Sequence, residues 1–488
     1  MFWKNLSQYG ATKTQRFWLA MVSAILNGVA FIWFGSVSLV ANVPLLLALR
    51  QSPTYAESAR LGFIVGSLAG LHIYGIAHYG LFLLIGFSFY TGAMMVIFGL
   101  LFHRLWFGQK RYHQVFLPVS LWCATEWLRT QGNYAMPASY AGNMALEDTF
   151  EAWLFLLPWT GGLGLSAMIA LTQSITFHAL VDFRKYQKEI KFSVASLILA
   201  GLLGYLNPPP LGTEPIKVAG IQAGLHNVVY DIAKVDPIVE NEIIETFARL
   251  THQASADVPD MILWPETAIR TPWFERSKIK AKLIARIPPN TSLIAGMHRR
   301  DSVGLRNAAV NIESQRVIDE VFKRRLVPGT EGHFVPGASH RPLQTQHGEV
   351  GVMICLEAVY PEIARELSAK GASLLMVISN DAGFGKSPIT NHMTRRAVIR
   401  AIENGKWLVR VGQAGLSVVV DPRGKIRSSL PLFTPQVLEV TVNRLTELTF
   451  YTRYPWICIC LILIHLSMLF FGRITTKMGE TRHQINTE

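Results

Sequence analysis

Residues 351–362, GVMICLEAVYPE, carry the reading of the fold. Val350, Val352, Met353 and Ile354 make a short apolar run, as a strand buried inside an α/β domain requires. The run stops at Cys355. Glu357 follows two residues on, and Pro361 opens a pattern that predicts a helix over 360–370. Strand, turn and helix in succession point to an α/β domain, and they leave a thiol at a strand end, where such scaffolds mount reactive groups.

The same punctuation repeats on both sides. Short β-rich runs read IKVAGIQA, DMILWPE, TSLIAGMH, NAAVNI, VIDEVFKR, GEVGVMIC, SLLMVISN, WLVRVG, LSVVVDP and QVLEVTVN. Helical patterns cover 236–255, 360–370 and 390–404. Strands alternating with helices predict sheets covered by helices. There is no internal repeat and no low-complexity segment.

Farther out the composition changes. The 488-residue chain is 50% hydrophobic and only 16% charged, against about a quarter charged for a soluble domain. Residues 17–207 and 455–472 are mostly apolar, whereas 212–450 have ordinary polar content. The expected organisation is a membrane domain over 1–207, a water-soluble domain over 212–450, a final spanning helix over 455–472 and a tail over 473–488. NPPPLGTEP at 207–215 is a helix-breaking exit between the first two. The soluble part is long enough to bury its own core.

A helical span needs about 20 mainly apolar residues. Eight are expected, near 17–34, 36–50, 61–78, 79–101, 113–129, 153–180, 192–207 and 455–472. Every second connection is basic: Lys4, Lys13 and Arg16; Arg50 and Arg60; Arg104, Lys110 and Arg111; Arg184, Lys185, Lys188 and Lys191; Arg473, Lys477 and Arg482. The loop at 130–152 instead holds Glu147, Asp148 and Glu151. By the positive-inside rule both termini are expected in the cytoplasm and 208–454 outside it. The net charge of +13 is thereby accounted for without nucleic acid.

Four cysteines, three of them in apolar segments, offer no disulfide framework and no metal signature. In the soluble domain Cys355 stands alone. Two other strand ends carry chemistry. ILWPETA places Glu266 after an apolar strand, and VFKRRLVPGTEGHFVPG places Lys323 after another, with Glu331 eight residues on. A thiol becomes a strong nucleophile when a base takes its proton, and a cation can stabilise the oxyanion formed as a carbonyl is attacked. Each residue alone reads as a solvated loop charge or an inert core thiol. The order Glu, Lys, Cys at three strand ends is far more specific.

At these residues the chain resembles the nitrilase, or carbon–nitrogen hydrolase, superfamily, whose triad is Glu, Lys, Cys on an α-β-β-α sandwich. With its spans it is similar to the apolipoprotein N-acyltransferase family, including EWLR at 126–129, GGLGLS at 161–166 and SNDAGFG at 379–385. The resemblance implies eight spans with a periplasmic domain before the last. It implies Glu266, Lys323 and Cys355 as catalytic, with Glu331 and Glu357 supporting. It implies transfer of a fatty acyl chain from a membrane phospholipid, through a cysteine thioester, to the α-amino group of an S-diacylglyceryl cysteine in a lipoprotein. No metal or cofactor is expected, and the expected location is the bacterial inner membrane. Candidate substrate-binding residues are Tyr230, Leu356, Asn380 and Gly383. Leu356 stands where the family has tyrosine and Gly383 where it has tryptophan. The segment between Glu331 and Cys355 is short and polar. These departures leave open a divergent paralogue, such as one associated with conjugal transfer, that acylates another amine or hydrolyses an amide. A non-catalytic membrane scaffold is the remaining alternative.

Overall fold

The computed structural model describes residues 11–132, 135–137, 141–144, 151–270 and 272–485. Lys4, Glu147 and Asp148, on which part of the charge pattern rests, lie outside them. The chain forms two compact units. One comprises residues 1–73, 82–207 and 454–488, the other residues 74–81 and 208–453.

The first unit is helical. Four helices among the described residues are long and apolar enough to cross a membrane: Lys13–Ile32, Tyr55–Tyr79, Leu81–Trp106 and Leu157–Leu206. Shorter apolar helical stretches run over Gly35–Arg50 and Ile457–Gly472, and Arg111–Leu128 carries Pro118 inside it. The 50-residue helix leaves helical geometry at Gly161 and again at Asp182 (φ −164°, ψ 86°), beside its basic stretch. That break separates the expected spans at 153–180 and 192–207. The last helix runs on to Ile485, past the expected tail boundary at 473. Trp18, Ile25, Phe82, Ile85, Phe89, Ile198, Leu199, Leu461 and Phe471 are large apolar side chains left exposed. Such a surface is stable against lipid and unstable against water. Inside, polar side chains satisfy one another: Asn27 donates to Asn42 Oδ1 at 2.8 Å, and Asn42 to Gln173 Oε1 at 3.2 Å.

The second unit contains two six-stranded sheets. The first has the order β12 (Gln436–Arg444), β1 (Glu214–Gln222), β2 (Met261–Leu263), β3 (Ser292–Arg300), β4 (Leu305–Glu313), β5 (Arg316–Phe322). The second has the order β11 (Ile426–Ser429), β10 (Val418–Val420), β9 (Leu408–Gly412), β8 (Leu374–Ser379), β7 (Gly348–Ile354), β6 (Leu343–Thr345). In each a parallel trio, β1-β2-β3 or β7-β8-β9, is flanked by antiparallel strands. Alternation sorts the side chains. Ile216, Val218, Met261 and Ile294 pack against Val350, Val352, Leu374, Met376 and Val409 between the sheets. Ala219, Ile221, Ile262 and Leu293 turn outward, into a cluster with Ile243, Phe247 and Leu250 of the helix Pro237–Ser255 and Leu283 of Ser277–Ile284. Helices Pro361–Ala369 and Pro388–Asn404 pack on the second sheet. This is the expected α-β-β-α sandwich.

All ten expected strands are present. Two are added, β6 and β11, each three or four residues long at an outer edge of the second sheet. Neither is fully buried, so neither shows the apolar run that marks a core strand.

Candidate active site

Glu266 sits three residues beyond β2 and is 4% exposed. Its turn is admitted by Gly296 on β3, where a Cβ would lie 2.3 Å from the Pro265 carbonyl oxygen and 2.6 Å from Glu266 Cα. Lys323 follows β5, and its Nζ donates to Glu266 Oε1 and to Glu331 Oε1, both at 2.8 Å. Asn307, on β4, donates from Nδ2 to the same two oxygens at 2.8 and 3.1 Å. The backbone N–H of Asn380 donates to Glu266 Oε2 at 3.0 Å. Glu331 is itself held by the Val327 N–H, which donates to its Oε2 at 2.7 Å. One buried cation thus lies between two carboxylates that share the Asn307 amide and are each held by a backbone N–H as well.

Cys355 opens a 3₁₀ turn, Cys355–Val359, at the end of β7, with φ 54°. A non-glycine residue in the left-handed region is uncommon, and such strain collects at functional sites. Glu357 holds the turn. Its Oε2 accepts from Ile354 N at 2.9 Å and its Oε1 from Arg324 N at 2.8 Å. One carboxylate therefore ties the cysteine turn to the segment that carries Lys323. Of the two expected supporting glutamates, Glu331 orients the lysine directly and Glu357 acts on the backbone.

The electrostatics follow from burial and this pairing. Burial opposes ionisation of Glu266, but the Lys323 charge and the hydrogen bonds from Lys323, Asn307 and Asn380 outweigh it and hold the carboxyl below its ordinary range. Burial likewise opposes the Lys323 charge, and Glu266, Cys355 and Glu331 together hold that ammonium above its ordinary range. Burial and the charge of Glu266 push the Cys355 thiol up, partly offset by Lys323. Near neutrality the group is an ionised carboxylate, an ammonium and a protonated thiol. The thiol has to lose its proton during attack rather than before it.

The other expected residues are placed less uniformly. Asn380 and Gly383 lie in the loop after β8, and Asn380 reaches Glu266 only through its backbone. Leu356 is half-buried in the cysteine turn. Tyr230 is 2% exposed; its hydroxyl donates to the Ala268 carbonyl at 2.9 Å and accepts from the Gln413 amide. Asn307 was not anticipated. The available signal was a polar side chain inside the apolar run NAAVNI, where burial demands a partner. The buried pair of Asp381 and Arg410, also unanticipated, fixes the loop after β8 to β9. Among the described residues no group of three or more His, Cys, Asp or Glu side chains is placed to hold a metal.

Residues 239–449 match the carbon-nitrogen hydrolase family profile. An apolipoprotein N-acyltransferase of Azotobacter vinelandii (strain DJ) is 30% identical over 368 residues, covering 69% of this chain and 68% of that protein. The chain belongs to the apolipoprotein N-acyltransferase family. Other proteins of that name show the same likeness. The Geobacter metallireducens one is 28% identical over 344 residues, 62% of this chain and 64% of its own length. The Pseudomonas putida one is 28% identical over 409 residues, 73% of this chain and 79% of its own length. Among solved structures, a carbon-nitrogen hydrolase from Helicobacter pylori G27 is 21% identical, with a TM-score of 0.40, covering 51% of this chain and 94% of that one. The matched range spans the positions of Glu266, Lys323, Glu331, Cys355 and Glu357.

Proposed function

We propose that this chain is a phospholipid-dependent N-acyltransferase that acts on diacylated lipoproteins, with Glu266 as base, Lys323 as oxyanion donor and Cys355 as nucleophile. The observation that carries the reading is Lys323, 1% exposed and bonded to two fixed carboxylates, with the Cys355 thiol inside the same field. Attack by Sγ on the ester carbonyl forms the S–C bond while Glu266 takes the thiol proton. The Lys323 ammonium stabilises the oxyanion. The ester C–O bond then breaks, and Glu266 returns the proton to the departing lysophospholipid oxygen. In the second half an amine nitrogen attacks the thioester, Glu266 takes its proton, and the proton passes to the departing sulfur. Lys323 serves both oxyanions and moves no proton of its own.

The test uses the purified protein, phosphatidylethanolamine in detergent micelles and a synthetic S-diacylglyceryl peptide. The expected product is the peptide heavier by one acyl group, together with lysophospholipid. Cleavage of small soluble amides without any acyl transfer from lipid would overturn the reading. An acyl-enzyme that forms but never acylates the peptide would move the acceptor to a different amine.

The alternating basic connections support an inner-membrane topology of eight spans, both termini in the cytoplasm and residues 208–454 in the periplasm. Reporter fusions after Pro210 and after Arg473 are then expected on opposite sides of the membrane. Both reporters on one side would remove this topology.

A further inference from the structure

Residues 74–81, the end of the helical stretch Tyr55–Tyr79 and the two residues after it, pack with the sandwich unit. They fit the loop after β8 through two glycines, one on each partner. A Cβ on Gly75 would lie 2.0 Å from Ser387 Oγ, and a Cβ on Gly383 would lie 2.3 Å from both Cζ and the hydroxyl oxygen of Tyr79. Tyr79 therefore fills the volume that any side chain at 383 would need. Its ring meets Phe384 edge-on at 5.0 Å between centroids. The same hypothetical Cβ would come within 2.9 Å of Asn227 Nδ2, so the Asn227 carboxamide borders the same small space. Asn227 Oδ1 is buried without a protein partner. The Tyr79 oxygen also lies within electrostatic reach of Cys355, Asp381 and Glu266. The Asn227 side chain donates a hydrogen bond to the Tyr79 oxygen, a bond that phenylalanine could not accept. A phenol brings one O–H to donate, beside an amide oxygen with nothing to accept.

We propose that Tyr79 is a substrate-binding residue, its hydroxyl donating to the glycerophosphate oxygens of the acyl donor beside Cys355, and that position 383 is glycine to admit its ring. The inference rests on the phospholipid-dependent reading above and assigns part of donor recognition to a residue of the second unit that is distant in sequence from the Glu, Lys, Cys residues. It separates two features of a donor. The acyl carbonyl belongs to Cys355 and Lys323, whereas the portion that leaves belongs to Tyr79 and Asn227.

The experiment measures acyl-enzyme formation by intact-mass spectrometry with two donors, phosphatidylethanolamine in micelles and p-nitrophenyl butyrate, which has no glycerophosphate. Tyr79→Phe keeps the ring and is expected to raise the KM for phosphatidylethanolamine about tenfold, the worth of one hydrogen bond to a charged group. Its kcat with that donor, and both constants with p-nitrophenyl butyrate, are expected within about twofold of the parent, because the lost bond is made equally in ground and transition states. Gly383→Ala is expected to raise the same KM in the parent by displacing the ring, and to add nothing further in a Tyr79→Ala background, since the two changes act on one contact. An unchanged KM in Tyr79→Phe overturns the proposal and leaves Tyr79 a packing residue. An equal loss with both donors overturns it too, because the tyrosine would then act on the cysteine. If the parent itself takes no acyl group from phosphatidylethanolamine, the functional reading fails first; if the parent does and Tyr79→Phe matches it, only this inference fails.

Discussion

Cys355→Ala is expected to carry no acyl group after incubation with phospholipid and to transfer none to peptide, a loss of at least ~10³-fold. The substitution removes the proposed nucleophilic atom and little else. Cys355 is 8% exposed at the edge of the core between the sheets, and its φ of 54° is as accessible to alanine as to cysteine. The Glu357 bonds that hold the turn go to backbone N–H groups and remain. Thermal unfolding is therefore expected to move little while activity vanishes. In the parent, phospholipid alone should add one acyl mass that neutral hydroxylamine removes, as a thioester requires. Cys355→Ser is expected to acylate more slowly and to hold a more stable ester. An adduct in Cys355→Ala, or one mapped to Cys123, Cys458 or Cys460, would overturn the assignment.

Lys323→Met is expected to lower the rate of acyl-enzyme formation by about 10²–10³-fold, the usual loss for one oxyanion donor. It is also expected to lower stability by about 3–5 kcal/mol, because the buried Glu266 carboxylate would be left without its cation and beside half-buried Glu331. Both accept from Asn307 Nδ2, and both have an oxygen at 2.8 Å from the same ammonium. The pH dependence discriminates between the two effects. In the parent the Glu266 carboxyl is held below its ordinary 4.5, so its stabilising interaction is fully present above that pH and is lost as pH falls through the depressed value. The acid limb of acyl-enzyme formation is therefore expected below pH 4.5. Without Lys323, burial and the charge of Glu331 push the Glu266 carboxyl up, and the limb moves toward neutrality. The Lys323 ammonium is raised above 10.5, so its contribution to stability is complete below that pH and is lost only as pH rises through the raised value. Lys323→Met should abolish that alkaline dependence. A stationary acid limb in Lys323→Met would show that Glu266 is not the group that sets it.

Much of the second unit was legible as sequence because its core strands obey a local rule. A strand sandwiched between another sheet and a helix layer has to be largely apolar on both faces, so β8 and the 350–354 part of β7 stand out as unbroken apolar runs, and β1 and β9 as apolar runs each interrupted by one basic residue, Lys217 and Arg410. Runs that end abruptly in Glu266, Lys323 or Cys355 mark strand ends, and a charged or nucleophilic side chain there is visible without coordinates. Apolar length and alternating basic connections likewise expose the membrane helices, because lipid forbids unpaired backbone and charge. The edge strands β6 and β11 escaped, since an exposed edge needs no apolar run. No proline or glycine announces the break at Asp182, but the basic stretch at 184–191 between two apolar runs does.

What the chain's own order settles is therefore which residues are at strand ends and which stretches are buried. What it leaves undecided is which strand ends meet. The pairing of β1-β2-β3 with β4 and β5 in one sheet, and of β7-β8-β9 in the other, puts Glu266 and Lys323 on one layer and Cys355 on its partner. Only that arrangement makes Asn307 a bridge between Glu266 and Glu331, ties Glu357 to Arg324, and sets the Asn380 N–H on Glu266. The close approach of Tyr79 to Gly383 spans more than 300 residues of sequence and has no local signature at either position. A hydrogen bond or a van der Waals overlap acts over a few ångströms, so distant residues acquire such partners only when the packed sheets bring them together.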